Sequence, residues 1–322
     1  MRVLVTGCAG FIGARVAAML IERGDEVIGI DSMNNAYDVR LKQWRLKQLS
    51  RAPNFRYARV NVVTPLDSEW LFVDGPVDAV VNLAARAGVR DSVANPAPYY
   101  ETNVMGTLRL LELCVQHDIP KFVLASSSSV YGDSQGPFKE EAPTDRPMSP
   151  YAASKIAAEH LCYVYHELHG LDVTVFRYFT VYGPAGRPDM GIYRFTRWIH
   201  EGEPILLYGD GEQKRDFTFV DDVARGTVAG LTHLGFETIN LGADHPVTVN
   251  CVLDHLARHI GRMPEIQATP AHAADVPATW ADIGVARRLL NWQPETSLEC
   301  GLEKTSGWYA TNRDWAVNIQ TQ

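Results

Sequence analysis

Val3-Leu4-Val5-Thr6-Gly7-Cys8-Ala9-Gly10-Phe11-Ile12-Gly13 is the stretch that decides the fold. Its apolar start reads as a short buried strand. Gly7, Gly10 and Gly13 then form G-x-x-G-x-x-G, and Val16, Ala17, Leu20 and Ile21 follow at helical spacing up to Gly24. Glu26-Val27-Ile28-Gly29-Ile30 reads as a second buried strand, with Asp31 at its end. Strand, glycine turn, helix and strand in this order open a doubly wound parallel sheet of the α/β class. The glycines permit the tight turn, the close approach of a pyrophosphate and the packing of helix on strand, and the helix N-terminus supplies free N–H groups for phosphate. Asp31 suits both ribose hydroxyls of an adenosine and repels a 2′-phosphate, so the expected cofactor is NAD rather than NADP.

The alternation continues outward. Strands are expected at 55–60, 78–83, 121–125 and 173–177, and long helices at 96–117 and 150–169. The first of these helices is expected to bury a face of Val104, Leu108, Leu111 and Val115. After Tyr182-Gly183-Pro184 the regularity decays into short apolar runs at 205–208, 217–220 and 238–241. The expected organisation is a cofactor domain over 1–180, to which the chain returns at about 214–245, and a smaller, interleaved α/β substrate lobe over 181–322. A cleft between them is where a ligand belongs.

The chain has 322 residues, 46% of them hydrophobic and 21% charged, which supports a sizeable core. Its 30 Lys+Arg against 38 Asp+Glu give a net charge of −8, with no basic block, which argues against nucleic-acid and membrane-surface binding. No apolar run reaches the ~18–20 residues of a membrane span. Cys8, Cys114, Cys162, Cys251 and Cys300 are widely spaced without a CxxC pair, so neither a metal site nor a disulfide framework is expected. Met1-Arg2 runs straight into the first strand, and the expected location is the cytoplasm.

The chemistry is expected at Tyr151-Ala152-Ala153-Ser154-Lys155, early in the second long helix. At i, i+4 the phenol and the ammonium share one face. A neighbouring ammonium lowers a phenol's pKa, so Tyr151 is expected to act as an acid/base near neutral pH. Ser126-Ser127-Ser128-Ser129 follow the strand at 121–125, whose end opens into the cleft.

Together Thr6-Gly7-x-x-Gly10-x-x-Gly13, Leu83-Ala84-Ala85, Asn103, Ser126 to Gly132 and Tyr151-x-x-x-Lys155 resemble an extended short-chain dehydrogenase/reductase of the NAD-dependent nucleotide-sugar epimerase type. The resemblance runs to about residue 309 and includes Lys214-Arg215-Asp216-Phe217 and Asp275 to Asp282. Arg177 to Met190, Ala87-Gly88-Val89-Arg90 and the four serines are most similar to UDP-glucuronate 4-epimerases. UDP-glucose 4-epimerases typically carry Asn where this chain has Thr180. The resemblance implies that Tyr151, Lys155 and Ser127 are catalytic. It implies a cofactor site of Gly7, Gly10, Phe11, Ile12, Gly13, Asp31, Asn61, Val62, Leu83, Ala84, Ala85 and Asn103, with Tyr178 and Phe179 beside the nicotinamide and Lys155 on its ribose. It also implies substrate contacts from Ser126, Ser128, Arg90, Thr180 and Arg187, with Arg215 on the diphosphate and Asp275 on the uridine ribose. Three positions depart from the pattern: Asn61 in place of Asp, Arg86 in place of Gln, and His272 in the segment before Asp275.

Dehydratases of this superfamily carry an acidic pair before Val-Tyr-Gly, and decarboxylases carry a Glu. Ser128-Ser129-Val130-Tyr131-Gly132 holds no carboxylate. The expected activity is therefore the interconversion of UDP-glucuronate and UDP-galacturonate through a 4-keto intermediate, without decarboxylation. The alternative is 4-epimerisation of UDP-glucose, UDP-galactose or an N-acetylhexosamine. Ser126, Ser128 and Thr180 are expected to hold the sugar carboxylate out of line with the C4 carbonyl. The family implies a homodimer through two helices per subunit, and Leu110, Leu113, Leu161 and Tyr165 are apolar positions beyond what one sheet face needs.

Overall fold

A computed structural model describes residues 1–64, 68–270 and 278–321. Its frame is a seven-stranded parallel sheet of β1 (Arg2–Thr6), β2 (Glu26–Ile30), β3 (Phe55–Ala58), β4 (Ala79–Asn82), β5 (Lys121–Ser127), β6 (Asp172–Tyr178) and β11 (Phe236–Leu241), in the order β11-β6-β5-β4-β1-β2-β3. The chain reverses its winding between β1 and β4, which opens a crevice at the C-terminal ends of those strands. β1 and β5 are buried along their whole length, as fits continuous apolar strands covered on both faces.

One face of the sheet is covered by α1 (Phe11–Glu22) and α8 (Val220–Ala229), over a core that includes Val3, Val5, Leu20, Val123, Phe176 and Ile239. The other is covered by α5 (Gly106–Gln116) and α6 (Pro150–His169), over Leu4, Ile28, Val80, Phe122 and Leu124. Ser149 caps α6 by accepting from the Ala152 N–H at 3.1 Å, Pro150 takes the first helical position, and Gly170 ends the helix in the left-handed conformation.

The helix expected over 96–117 is not one uniform α-helix. A π-helical stretch, Tyr100–Met105, stands between Ala97–Tyr99 and α5. Its wider turn shifts the register, so Asn103, Thr107, Leu111 and Cys114 are buried while Val115 is exposed and Val104 and Leu108 are half-buried. Leu110 and Leu113 also pack inside the molecule, so neither supplies the free surface expected of it. The exposed apolar side chains on these helices are Tyr100, Met105, Val115, Tyr163, Val164 and Leu168.

Beyond β6 the chain builds a separate cluster around Trp198, Ile205, Leu207, Val252 and Leu256. It holds α7 (Gly191–Glu201), β8 (Ile205–Tyr208) and α9 (Val249–Ile260), while β7 (Thr180–Tyr182) pairs in parallel with β10 (Phe217–Phe219). Among the described residues no helix is long and apolar enough to cross a membrane.

Candidate active site

The glycine turn is built by close backbone contact. Gly7 has φ +66°, and a Cβ on it would stand 2.8 Å from the Ala84 nitrogen. A Cβ on Gly13 would stand 2.1 Å from the Gly7 carbonyl oxygen, so the start of α1 sits against the turn only because residue 13 has no side chain. Thr6 ties the ends of β1 and β4 together: its hydroxyl donates to Asn82 at 2.7 Å and accepts from the Ala84 N–H at 3.0 Å. Leu83, Ala84 and Ala85 follow directly. This cradle fits a dinucleotide, since bare backbone and a helix N-terminus face the crevice. Asp31, 6% exposed at the end of β2, completes it, accepting from the Met33 N–H at 2.7 Å and lying 3.4 Å from the Lys42 ammonium. Asn61 is exposed, and its side-chain oxygen accepts from its own turn at Val63, while Val62 packs beneath.

The end of β5 meets α6 in a regular pairing. Tyr151 is hydrogen-bonded to Ser127, and Lys155 donates to the Ala125 carbonyl at 2.7 Å. The Ser127 hydroxyl also lies 3.2 Å from that of Ser129. Ser128 starts the 3-10 turn Ser128–Tyr131 and is half-buried. Asn103 braces the site from the π-helical stretch. Its side chain accepts from the Arg86 N–H at 2.8 Å, donates to the Arg86 carbonyl at 3.0 Å and donates to Ser154 at 2.9 Å.

One expectation is corrected by this geometry. Ser126 does not present its hydroxyl to the cleft. Strand alternation turns it toward α6, where it donates to Glu159. Burial raises the pKa of the Tyr151 phenol, and the opposing influences are the hydrogen bond from Ser127 and the Arg187 guanidinium. The Lys155 ammonium is itself brought down to about 8 by burial, with Glu159 opposing that shift.

Arg187 is held by Asp189, to which its Nε donates at 3.1 Å, and it shares a cavity wall with Phe11, Thr180, Met190, Tyr193 and Phe217. The Thr180 N–H donates to the Asp216 carbonyl at 3.0 Å. Arg90 lies over the Tyr208 ring at 4.3 Å, and Arg215 is partly exposed on β9 (Lys214–Arg215). Tyr178 stands beside Ser127 in the sheet register, with its hydroxyl 2.8 Å from Thr227. Phe179 stacks against Phe138 and lies tilted against Tyr131. Asp275 and His272 lie outside the described residues.

Sequence reasoning missed four residues that hold this arrangement. Lys42 faces Asp31. Arg45, 3% exposed, donates to the Ala9 carbonyl at 3.1 Å and to the Ala185 carbonyl at 2.6 Å, joining the glycine turn to the loop that carries Arg187. Asp216 is fully buried and accepts from the N–H groups of Asp244 and Ala281 at 3.1 and 3.0 Å. Glu159 is the fourth. The signal for Glu159 was its spacing, two turns beyond Tyr151 on the same face. Asp216 stands in the Lys214–Phe217 motif without a role read for it, Lys42 faces Asp31 from a helix 11 positions on, and Arg45 meets a carbonyl 140 positions away, which leaves no local signature.

Residues 3–242 match the NAD dependent epimerase/dehydratase family. The chain is 50% identical over 318 residues to a UDP-glucuronate 4-epimerase of Thermodesulfobacterium geofontis, covering 98% of both chains. It superposes on the UDP-glucuronic acid 4-epimerase of Bacillus cereus, solved in complex with UDP-glucuronic acid and NAD, with a TM-score of 0.91 and 36% identity over 97% of this chain and 100% of that one. The UDP-glucose 4-epimerase of Thermotoga maritima, solved with UDP-glucose, gives a TM-score of 0.88 and 32% identity, covering 97% and 100%. The glycine cradle, the Ser127–Tyr151–Lys155 seam and these full-length likenesses agree: the chain belongs to the NAD dependent epimerase/dehydratase family.

Proposed function

We propose that the chain is a UDP-glucuronate 4-epimerase, interconverting UDP-glucuronate and UDP-galacturonate without loss of CO₂. The observation that carries this reading is the 50% identity, over 98% of both chains, to the relative of that name. The site's chemistry agrees with it. The turn Ser128–Tyr131 offers hydroxyls and no carboxylate, and Glu159, a buried carboxylate of α6, is engaged by Ser126 and Arg177.

Gly7, Gly10, Phe11, Ile12, Gly13 and Asp31 would hold NAD, with Asn61, Val62, Leu83 to Ala85 and Asn103 along its path. Bound NAD supplies the hydride acceptor and donor at C4 of the sugar. Tyr151 takes the proton of the 4-hydroxyl and returns it, aided by the hydrogen bond to Ser127 and the positive charge of Arg187. Lys155, anchored on the Ala125 carbonyl, holds a cation beside the cofactor ribose. The 4-keto sugar turns over while Arg90, Arg215 and Asp275 keep the UDP moiety in place. A 4-keto glucuronate is a β-keto acid, so its carboxylate must be kept out of line with the carbonyl. Ser127, Ser128 and Thr180 would restrain it, and a hydrogen bond to a charged acceptor is worth ~1.5–3 kcal/mol. The reading includes two interleaved lobes, 1–180 and 181–322, and a homodimer.

Purified protein incubated with UDP-glucuronate should yield UDP-galacturonate by NMR, with no net rise in NADH absorbance and with NAD as the nucleotide released on denaturation. Tyr151→Phe should abolish turnover while NAD and UDP stay bound. NADP as the bound nucleotide, or a Tyr151→Phe enzyme that still epimerises, contradicts the reading.

A further inference from the structure

Three consecutive residues at the end of β5 engage three successive turns of α6. Ser127 meets Tyr151, the Ala125 carbonyl takes the Lys155 ammonium, and the Ser126 hydroxyl donates to Glu159. Tyr151, Lys155 and Glu159 stand at i, i+4 and i+8, on one face of the helix. The epimerase chemistry uses the first two and leaves the third unexplained.

Glu159 is 8% exposed, and a buried carboxylate is costly unless it is paired and hydrogen-bonded. Its partners come from two strands. Arg177 on β6 lies directly across from Ser126 in the sheet register, so both side chains reach α6 from one face. Arg177 donates to Glu159 twice, from Nε at 3.1 Å and from Nη2 at 2.8 Å. The guanidinium is itself fixed, lying 4.9 Å from the centre of the Tyr131 ring and donating to the Glu140 carbonyl at 3.0 Å. The seam thus buries two cations, Lys155 and Arg177, with one carboxylate, Glu159, which is paired with Arg177 and stands one helical turn from Lys155 on the same face. The other titratable groups around it are Tyr151 and Cys162 on α6, Tyr131 after β5 and Glu140, whose carboxylate faces Tyr131, with Arg187 acting on Tyr151 from the opposite lobe.

We propose that Glu159 is a positioning residue for the reaction: clamped by Ser126 and Arg177, it holds α6 in register on the end of β5 and supplies the negative charge that keeps Lys155 an ammonium ion. This rests on the epimerase reading for its consequence in turnover and on the seam alone for its effect on Lys155. A sliding or tilting of α6 would separate Tyr151 from Ser127 before it disturbed any substrate contact. The loss should therefore appear in kcat rather than in KM.

Glu159→Gln keeps the shape and removes the charge. Its kcat on UDP-glucuronate should fall about ten-fold with KM within about two-fold, and the alkaline limb of kcat should move down by about one pH unit. NMR of ¹³C-labelled lysine, with the Lys155 signal assigned by its absence from Lys155→Met, reads the same titration without turnover, and the midpoint should move down by a similar amount. Glu159→Asp keeps the charge at a shorter reach, so the limb should stay where it is while kcat falls. Ser126→Ala removes one clamp and is the milder variant should Glu159→Gln not fold; its kcat should fall with an unmoved limb. An unchanged Lys155 midpoint and pH profile in folded Glu159→Gln overturns the proposal, as does an unchanged kcat in both Glu159→Asp and Ser126→Ala. If wild-type protein turns over no UDP-sugar, the epimerase reading fails, and the Lys155 midpoint still decides whether Glu159 acts on it.

Discussion

Burying the Lys155 ammonium behind Tyr151 lowers its pKa from 10.5 to about 8. Between these values the unfolded chain binds more protons than the folded one, so this group makes stability rise with pH from about 8 to 10.5. Below that window the full cost of a buried cation is present. Lys155→Met should therefore raise stability at pH 7 by about 1–2 kcal/mol while abolishing turnover, and the gap in denaturant midpoint should close as the pH rises through the window. A variant that is less stable at every pH contradicts this account. Thr180 tests the carboxylate restraint. Thr180→Ala should slow turnover of UDP-glucuronate several-fold and increase the fraction lost as a decarboxylated 4-keto pentose, with a smaller effect on UDP-glucose. Equal effects on both sugars would make Thr180 a strand end and nothing more. The positions of Gly13 at the turn, Asp31 at the end of β2 and Tyr151 at the start of α6 were legible in the sequence because they depend on short, fixed spacings. Arg45 was not, since the Ala185 carbonyl it meets is 140 positions away in the chain.

At the scale of elements, the helix α1 and the glycine turn act as one piece. Because a Cβ at position 13 would enter the Gly7 carbonyl oxygen, Gly13→Ala must push the helix off the strand. It should cost about 2–3 kcal/mol in unfolding free energy and release the bound nucleotide on purification. Retention of NAD at wild-type stoichiometry would show that the turn tolerates the shift. The strands were readable as apolar runs, and α6 as a capped helix ending at Gly170. The π-helical stretch was not, because Asn103 and Thr107, which its shifted register turns inward, are polar and leave no mark in an apolar pattern. That stretch places Asn103 against Arg86 and Ser154, so the element least visible in the sequence is one that braces the site.

Across the whole molecule, Arg45 and the C-terminal segment tie parts of the chain that are far apart in sequence. The Gln320 N–H donates to Asp38 at 3.3 Å, Arg197 donates to the Ile319 carbonyl at 3.0 Å, and Trp44 packs edge-on against Trp308. On the opposite side, Tyr100, Met105, Tyr163, Val164 and Leu168 leave an apolar surface on the helices that cover the sheet. A C2 pairing of these helices would bury it. Light scattering at micromolar concentration should give twice the 35.8 kDa chain mass, and Val164→Glu with Leu168→Glu should give the single mass. A monomeric wild type refutes the pairing. The central claim concerns which sugar this site is built for. Mass spectrometry of the products from UDP-glucuronate and UDP-glucose, each supplied at equal concentration, tests it most directly. The account predicts faster turnover of UDP-glucuronate, to UDP-galacturonate with little pentose; faster turnover of UDP-glucose, or a 4-keto pentose as the main product, would contradict it.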